Sequence, residues 1–357
     1  MDNKSPLLDF LKYAVSNKVS DIHLGDETLP MMRKDGDLVK MAETPFEKGD
    51  TLKMLAQHLD PERFKDFERE KELDYSFGVP GLARFRVNLY YQKDNVGAAL
   101  RPLPNNPPTF EQIDFPVSIA DQLVSKPSGL ILVTGATGSG KTTTLSAMID
   151  HINQHDACHI ITIEDPIEIV YTNKKSVIAQ REVGADTHSF NQALKHVLRQ
   201  DPDVILVGEM RDLETIELAL TAAETGHLVF ATLHTPDAVQ SINRIIDVFP
   251  AHQQQQVRIQ FSFVLQAVIC QQLIPREGGG LALAAEILLA NHAIRSLIRD
   301  SKSHQVYSAI QMGQKEGMKT LNMSLAELVK TKKISKENAI LRSSDVMELE
   351  RLLLSAR

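Results

Sequence analysis

The spacing of apolar residues changes near residue 100 of this 357-residue chain, and the change divides it in two. An amphipathic run comes first, with Leu7, Leu8, Phe10, Leu11, Ala14 and Val15 spaced to predict a helix. Short segments of alternating character follow at 21–24, 30–33, 38–41, 73–77, 84–90 and 97–100, and each predicts a strand. Asp35-Gly36 predicts a hairpin turn between the second and third. Residues 1–101 therefore read as a small α+β unit. Pro102, Pro104, Pro107 and Pro108 around Asn105-Asn106 predict a semi-rigid linker over 102–115. Beyond it the period changes. Continuous apolar strands at 130–134, 159–163, 204–207 and 228–232 alternate with helical patterns at 142–152, 190–199 and 213–223. That alternation predicts a mostly parallel sheet covered by helices on both faces. Another apolar strand, 281–289, follows Pro275 and Gly278-Gly279-Gly280. From about 291 the chain reads as a charged, helical subdomain completing the unit 116–357. The glutamines at 253–256 predict a solvated helix face, and no internal repeat is present.

Composition narrows the class. Apolar residues at 43% and charged residues at 24% describe a folded globular chain. A net charge of −7 argues against a broad nucleic-acid footprint, although it leaves room for a local basic groove, and no nucleic-acid partner is expected. No apolar run approaches the roughly 20 residues that span a bilayer. The N-terminus begins with acidic Asp2 and an amphipathic run, not a basic start with an apolar core, so a cytoplasmic protein is expected. Cys158 and Cys270 are the only cysteines, too few for a four-cysteine zinc site, and both are expected as reduced thiols in apolar surroundings.

The first chemistry lies at Gly135-Ala136-Thr137-Gly138-Ser139-Gly140-Lys141-Thr142, which fits G-x-x-x-x-G-K-[ST]. Its glycines let successive N–H groups point inward as an anion nest, and the following helix adds its positive end. Lys141 is expected to reach the β- and γ-phosphates of ATP, and the Thr142 hydroxyl to ligate Mg²⁺. Thr143, next on the helix, is counted with the nucleotide-binding residues.

Hydrolysis also needs a carboxylate near the γ-phosphate. Two acidic clusters follow apolar strands: Glu164-Asp165-Pro166-Ile167-Glu168 after 160–163, and Glu209 after 204–208. Open α/β sheets bind ligands beyond the carboxyl ends of their strands, so both clusters are expected in the crevice that holds Lys141. One carboxylate would support Mg²⁺ through water while the other polarises the attacking water. His227 and His234 flank the strand 228–232; by residue type alone each reads as an ordinary surface histidine. His151, His155, Cys158 and His159 come at near-helical spacing, but a strand starting at His159 breaks that face and no carboxylate supports a metal there. Arg84, Arg86 and Arg101 suit bidentate phosphate contacts, yet by pattern alone they read as charges on an exposed strand face.

Taken together, these motifs resemble the secretion and pilus motor ATPases, and within them the type IV pilus retraction ATPases of the PilT and PilU kind. The resemblance covers nearly the whole chain. Residues 135–142 match the family's Walker A motif, and 163–168 its Asp box, whose last glutamate, Glu168, is the implied catalytic one. Residues 203–209 match a Walker B that ends in glutamate, while 225–227 through 232–234 match a His box. The resemblance implies a PAS-like N-terminal domain, a RecA-like core, a ring hexamer and ATP held between domains or subunits. It also implies phosphate-facing roles for His234, Arg86 and Arg101, the last two as arginine fingers. An inner-membrane pilus platform protein is the implied partner, and a paralogous retraction ATPase a further one. Assembly motors of the family resemble longer chains with four cysteines. Ala293-Ile294-Arg295-Ser296-Leu297-Ile298-Arg299-Asp300 instead resembles a motif of the retraction subfamily, differing at Ser296 and Asp300. The helical tail after Ser335 and Lys93-Asp94-Asn95, which stands where the PilT pattern has an arginine and a glycine, lean the other way. They keep open an alternative, a hydrolysis-poor PilU-like subunit that docks on another motor.

Overall fold

A computed structural model of the protein describes residues 6–17, 19–34, 37–104 and 106–355. The turn expected at Asp35-Gly36, together with Asp2 and Asn105, lies outside them. The chain forms two compact units: residues 1–106 with Pro166–Val170, and Pro107–Asp165 with Tyr171–Arg357.

The first unit runs α1 (Pro6–Ser16), β1 (Asp21–Gly25), β2 (Met31–Lys34), β3 (Asp37–Lys40), α2 (Asp50–Ala56), α3 (Pro61–Glu70), β4 (Glu72–Val79), β5 (Ala83–Gln92) and β6 (Asn95–Pro102). Its strands form one antiparallel sheet in the order β3-β2-β1-β6-β5-β4. In β5 every second side chain from Ala83 to Leu89 is buried, the two-residue period of a strand with one face on a core. Leu7 and Leu11 of α1 join Phe85, Val87, Leu89 and Leu100 in that core. Helix α3 begins on a cap that the sequence carries openly. The Asp60 side chain accepts from the N–H groups of Glu62 and Arg63, and Pro61 occupies the first helical turn. Lys93 and Asp94 form the two-residue β5–β6 turn with φ of 49° and 63°, left-handed at both positions although neither is glycine.

The second unit continues α4 (Val117–Val124), β7 (Gly129–Thr134), α5 (Lys141–His155), β8 (His159–Glu164), β9 (Val177–Glu182), α6 (Phe190–Val197), β10 (Val204–Val207), α7 (Leu213–Glu224), β11 (Leu228–Leu233), α8 (Ala238–Asp247), α9 (Ala251–Val264), β12 (Leu265–Pro275) and β13 (Leu281–Leu289). The helices α10 (His292–Arg299), α11 (Val306–Met312), α12 (Leu321–Lys330), α13 (Lys336–Arg342) and α14 (Val346–Leu354) complete it. The sheet order is β13-β12-β7-β11-β10-β8-β9. Every pairing is parallel except that of β12 with β13. This is the RecA-like α/β core. All six residues of β7, all four of β10 and all six of β11 are buried, as central parallel strands require.

Two strands of this sheet, β9 and β12, are absent from the sequence expectation. Strand β9 is an edge strand with no run of buried positions. Strand β12 begins at the residue after α9 ends, so no turn residue separates the two. Phe110 and Phe115, at the end of the proline-rich stretch, are buried in the core of the second unit. The glutamines at 253–256 lie on α9 and are largely exposed. In the retraction-like motif, Arg295 donates to the carbonyls of Ala290 (2.9 Å) and Ser262 (2.6 Å), fastening α10 to the carboxyl end of α9. Helices α12 to α14 close a smaller core on Ile274, Ala282 and Ala284 of the β12–β13 hairpin.

Candidate functional site

Register brings the ends of the central strands together. Leu233 pairs with Thr134, Val207 with Ala231 and with Ile163, so β7, β11, β10 and β8 finish within about two residues of one another. The glycine loop, His234, Glu209 and Glu164 thus leave the same edge of the sheet.

The loop itself has the geometry its sequence calls for. Gly135, Gly138 and Gly140 have φ of 138°, 79° and 89°, which residues with a Cβ rarely adopt. A Cβ on Gly135 would also come within 2.5 Å of the Gln271 carbonyl oxygen. Gly140 caps α5 without any side chain reaching the free N–H groups of its first turn. Those donors are left for an anion. Thr142 and Thr143 are exposed at that turn, while Leu145, Met148, Ile149 and Ile152 bury the opposite face. Lys141 folds back, donating from Nζ to the carbonyls of Gly135 (2.7 Å) and Ala136 (3.1 Å). Burial lowers its pKa from the usual lysine value, and the Glu209 charge opposes that. A cavity of about 350 Å³ opens on residues 135–139 of the loop, with Gln271 to Leu273 of β12 and Arg342 of α13 among its walls.

The carboxylates differ sharply. Glu209 is gripped by Arg211, whose Nε and Nη2 donate to its two oxygens at 2.7 and 2.8 Å. His234 Nε2 lies 3.1 Å from the same carboxylate, so the structure seats this histidine on Glu209. The Arg211 guanidinium chiefly holds the Glu209 pKa below the usual carboxylate value, and burial opposes it. Glu164 is buried and accepts from Thr162 Oγ1 (2.6 Å) and Gln180 Nε2 (3.1 Å), an internal brace for β8 and β9. Glu168 falls elsewhere, because Pro166–Val170 pack with the first unit. There Arg86 Nη1 stands 3.7 Å from Glu168 Oε1, and both side chains are well exposed. Arg86 lies directly opposite Arg101 in the β5–β6 register. Arg101 bonds Asp21 at 2.7 Å, and the Arg84 guanidinium bonds Ser76.

The remaining candidates have ordinary partners. His227 Nδ1 lies 2.9 Å from the Ala222 carbonyl and finishes α7. His155 Nδ1 bonds the His151 carbonyl (2.8 Å), His159 Nδ1 the Asp201 carbonyl (3.1 Å), and Cys158 meets Ser176 (3.2 Å). Both cysteines are free, and burial raises both thiol pKa values, that of Cys270 far above its usual range. A second cavity, of about 390 Å³, is lined by charges that satisfy one another: Lys333 with Asp114 and Lys319 with Glu327. No helix is long and apolar enough to cross a membrane among the described residues. Sequence reading missed Arg211, Gln271 and Arg342. For Arg211 the signal was its place two residues beyond Glu209; for the other two it was none, since only the fold brings them to the loop.

Comparison with known proteins agrees with this geometry. The family described as Type II/IV secretion system protein matches residues 115–351. The type IV pilus retraction ATPase PilT of Pseudomonas aeruginosa is 49% identical over 93% of this chain and 96% of its own length. The type IV pilus ATPase PilU of the same organism is 36% identical over 96% of this chain and 90% of its own. A crystal structure of the pilus retraction motor PilT with bound ADP superposes with a TM-score of 0.91, at 50% identity, covering 97% of this chain and 99% of that one. The chain therefore belongs to the Type II/IV secretion system protein family, among its type IV pilus retraction ATPases.

Proposed function

We propose that this protein is an ATP-hydrolysing motor that drives type IV pilus retraction, and hence twitching motility, as a ring of six copies on the cytoplasmic side of the inner membrane. The observation that carries the reading is a loop of three left-handed glycines on a chain 49% identical to a pilus retraction ATPase over nearly its whole length. A pilus platform protein is the partner, with a paralogous retraction ATPase as a second.

The residue roles are read as follows. The N–H groups of residues 135–140 and the first turn of α5 hold the phosphates of ATP, with Thr137, Ser139 and Thr143 beside them. Lys141 leaves its loop carbonyls for the β- and γ-phosphates, which restore the counter-charge that burial denies it. The exposed Thr142 hydroxyl suits Mg²⁺, which when bound with ATP neutralises phosphate charge. Glu209, with its oxygens already committed to Arg211 and His234, supports that site through water. Glu168 takes the proton from the attacking water, since one distant ion pair leaves its lone pairs accessible. Arg86 and Arg101 stabilise charge on the γ-phosphate. The two guanidinium groups stand directly opposite one another on neighbouring strands, each beside a carboxylate, so a single anion can be faced by both.

The accessory reading draws on the 36% identity to PilU and on the Lys93-Asp94 turn. It calls for weak turnover alone and stimulation by a partner ATPase. A strain carrying Lys141→Ala tests the retraction reading: excess surface pili with no twitching is expected, whereas loss of pili would assign the motor to assembly.

A further inference from the structure

The cavity on the glycine loop has a wall that the roles above leave unused. Arg342 is the last residue of α13, and its guanidinium has no hydrogen-bond or ion-pair partner among the described residues. No lining residue of this cavity is acidic, so its only ionised wall is cationic. Ser139, in the same wall and only 6% exposed, carries a hydroxyl without a hydrogen-bond partner among the described residues. Buried polar atoms without partners are uncommon in folded proteins, and a donor of that kind beside a phosphate loop is available to a ligand. A cation, the Ser139 hydroxyl and the loop's own N–H groups are all donors, and together they describe a seat for an anion.

The backbone that carries Arg342 is braced, while the residue itself is exposed. Ala339 of α13 is fully buried against the β12–β13 hairpin. Beyond the helix, the Ser343 hydroxyl donates to Asn322 Oδ1 at 2.7 Å. Asn322 Nδ2 in turn bonds Glu348 Oε2 at 2.6 Å, tying α12, α13 and α14 together. A cation at a helix carboxyl end is favourable on its own account, but the dipole needs no cavity lined by a phosphate loop.

We propose that Arg342 is a nucleotide contact whose guanidinium binds the polyphosphate seated on residues 135–142, making the C-terminal helices part of the binding site. The inference rests on the nucleotide reading above and adds a residue from a subdomain to which that reading gives no chemistry.

The test measures ATP and ADP affinity of the full-length protein, with inorganic pyrophosphate as a competitor. Arg342→Ala is expected to weaken all three by about tenfold, the scale of one charge-assisted hydrogen bond. Arg342→Lys should recover part of the loss. Melting without nucleotide should stay at the parent temperature; if alanine lowers it, Arg342→Gln is read in its place. A shift below threefold for ATP overturns the proposal. So does weakened ATP with unchanged pyrophosphate, which would place the guanidinium on the base. Lys141→Ala in the same assay separates the two readings. If it too binds like the parent, the nucleotide site itself is wrong; if it alone loses binding, only the role of Arg342 falls.

Discussion

Glu168 and Glu209 both follow apolar strands in the sequence, and both read as candidates for the same work, yet the fold treats them differently. Glu209 has 20% of its side chain exposed, both oxygens taken by Arg211 and a third contact from His234. Glu168 has 38% exposed and one ion pair at 3.7 Å, beyond hydrogen-bond length. A carboxylate enclosed by charge-assisted bonds is fixed in place and held ionised, with most of its lone pairs already taken. One that faces solvent with a single loose partner can still accept a proton from water. Position after a strand therefore selects candidates, and the partners of each oxygen sort them.

The most direct way to break that contrast is Glu168→Gln, which keeps shape and removes the base. ATP turnover of the purified protein should fall by about a hundredfold to ten-thousandfold, the range of a lost general base. Nucleotide affinity should be unchanged. Turnover at the parent rate would end the assignment of Glu168 and return the question to Glu209.

The distinction between these carboxylates was only partly legible beforehand. The backbone of the glycine loop was legible, because its geometry is local: three positions need φ that glycine supplies, and Lys141 with Thr142 follow at fixed spacing. The buried strands β7, β8, β10 and β11 were legible for a similar reason, being short apolar runs between turn residues. Asp60-Pro61 was a readable cap whose helix, α3, went unplaced among the strands. What sequence could not carry was partnership across distance. Arg276 pairs with Asp114, 162 positions away, and Gln271 Nε2 bonds Thr144, 127 positions away. The acidic cluster 164–168 looked like one unit because its residues are adjacent. Yet Glu164 braces β8 and β9 while Glu168 packs with the N-terminal sheet's unit, a division set by contacts that no local pattern encodes.

A carboxylate with the opposite shift sharpens the comparison next. Glu286 on β13 is 3% exposed, and burial pushes its pKa up to about 7, with Asp237 and Glu348 raising it further. The Ala238 and Leu321 N–H groups oppose that rise without cancelling it. Because the folded value exceeds the usual 4.5, the protonated group's stabilising share is complete below pH 4.5 and is lost as pH rises through 7. The shift corresponds to about 3 kcal/mol across that window. Glu286→Gln keeps an oxygen for the same N–H donors. Denaturant titrations should show the parent and variant close at pH 5 and the variant more stable at pH 8. Parallel stability curves would mean that Glu286 ionises as freely as a surface glutamate.

The smallest expected effect bears on what holds Glu209. Its folded pKa is depressed mainly by Arg211, so this contribution to stability is present above the usual 4.5 and fades as pH falls through the lower folded value. Arg211→Ala removes the principal cause and leaves His234 and burial acting in opposite directions. Arg211 is 77% exposed, so water screens much of the pair and the loss should stay within about 1 kcal/mol. The gap between parent and variant should be widest at pH 7 and close on acidification below the carboxylate range, read as unfolding midpoints at pH 7 and pH 3. A gap that persists at pH 3 would make Arg211 a packing residue, and the restraint on Glu209 would then fall to His234 alone. In that case Glu209 would keep a free oxygen, and the contrast with Glu168 would narrow to a difference in exposure.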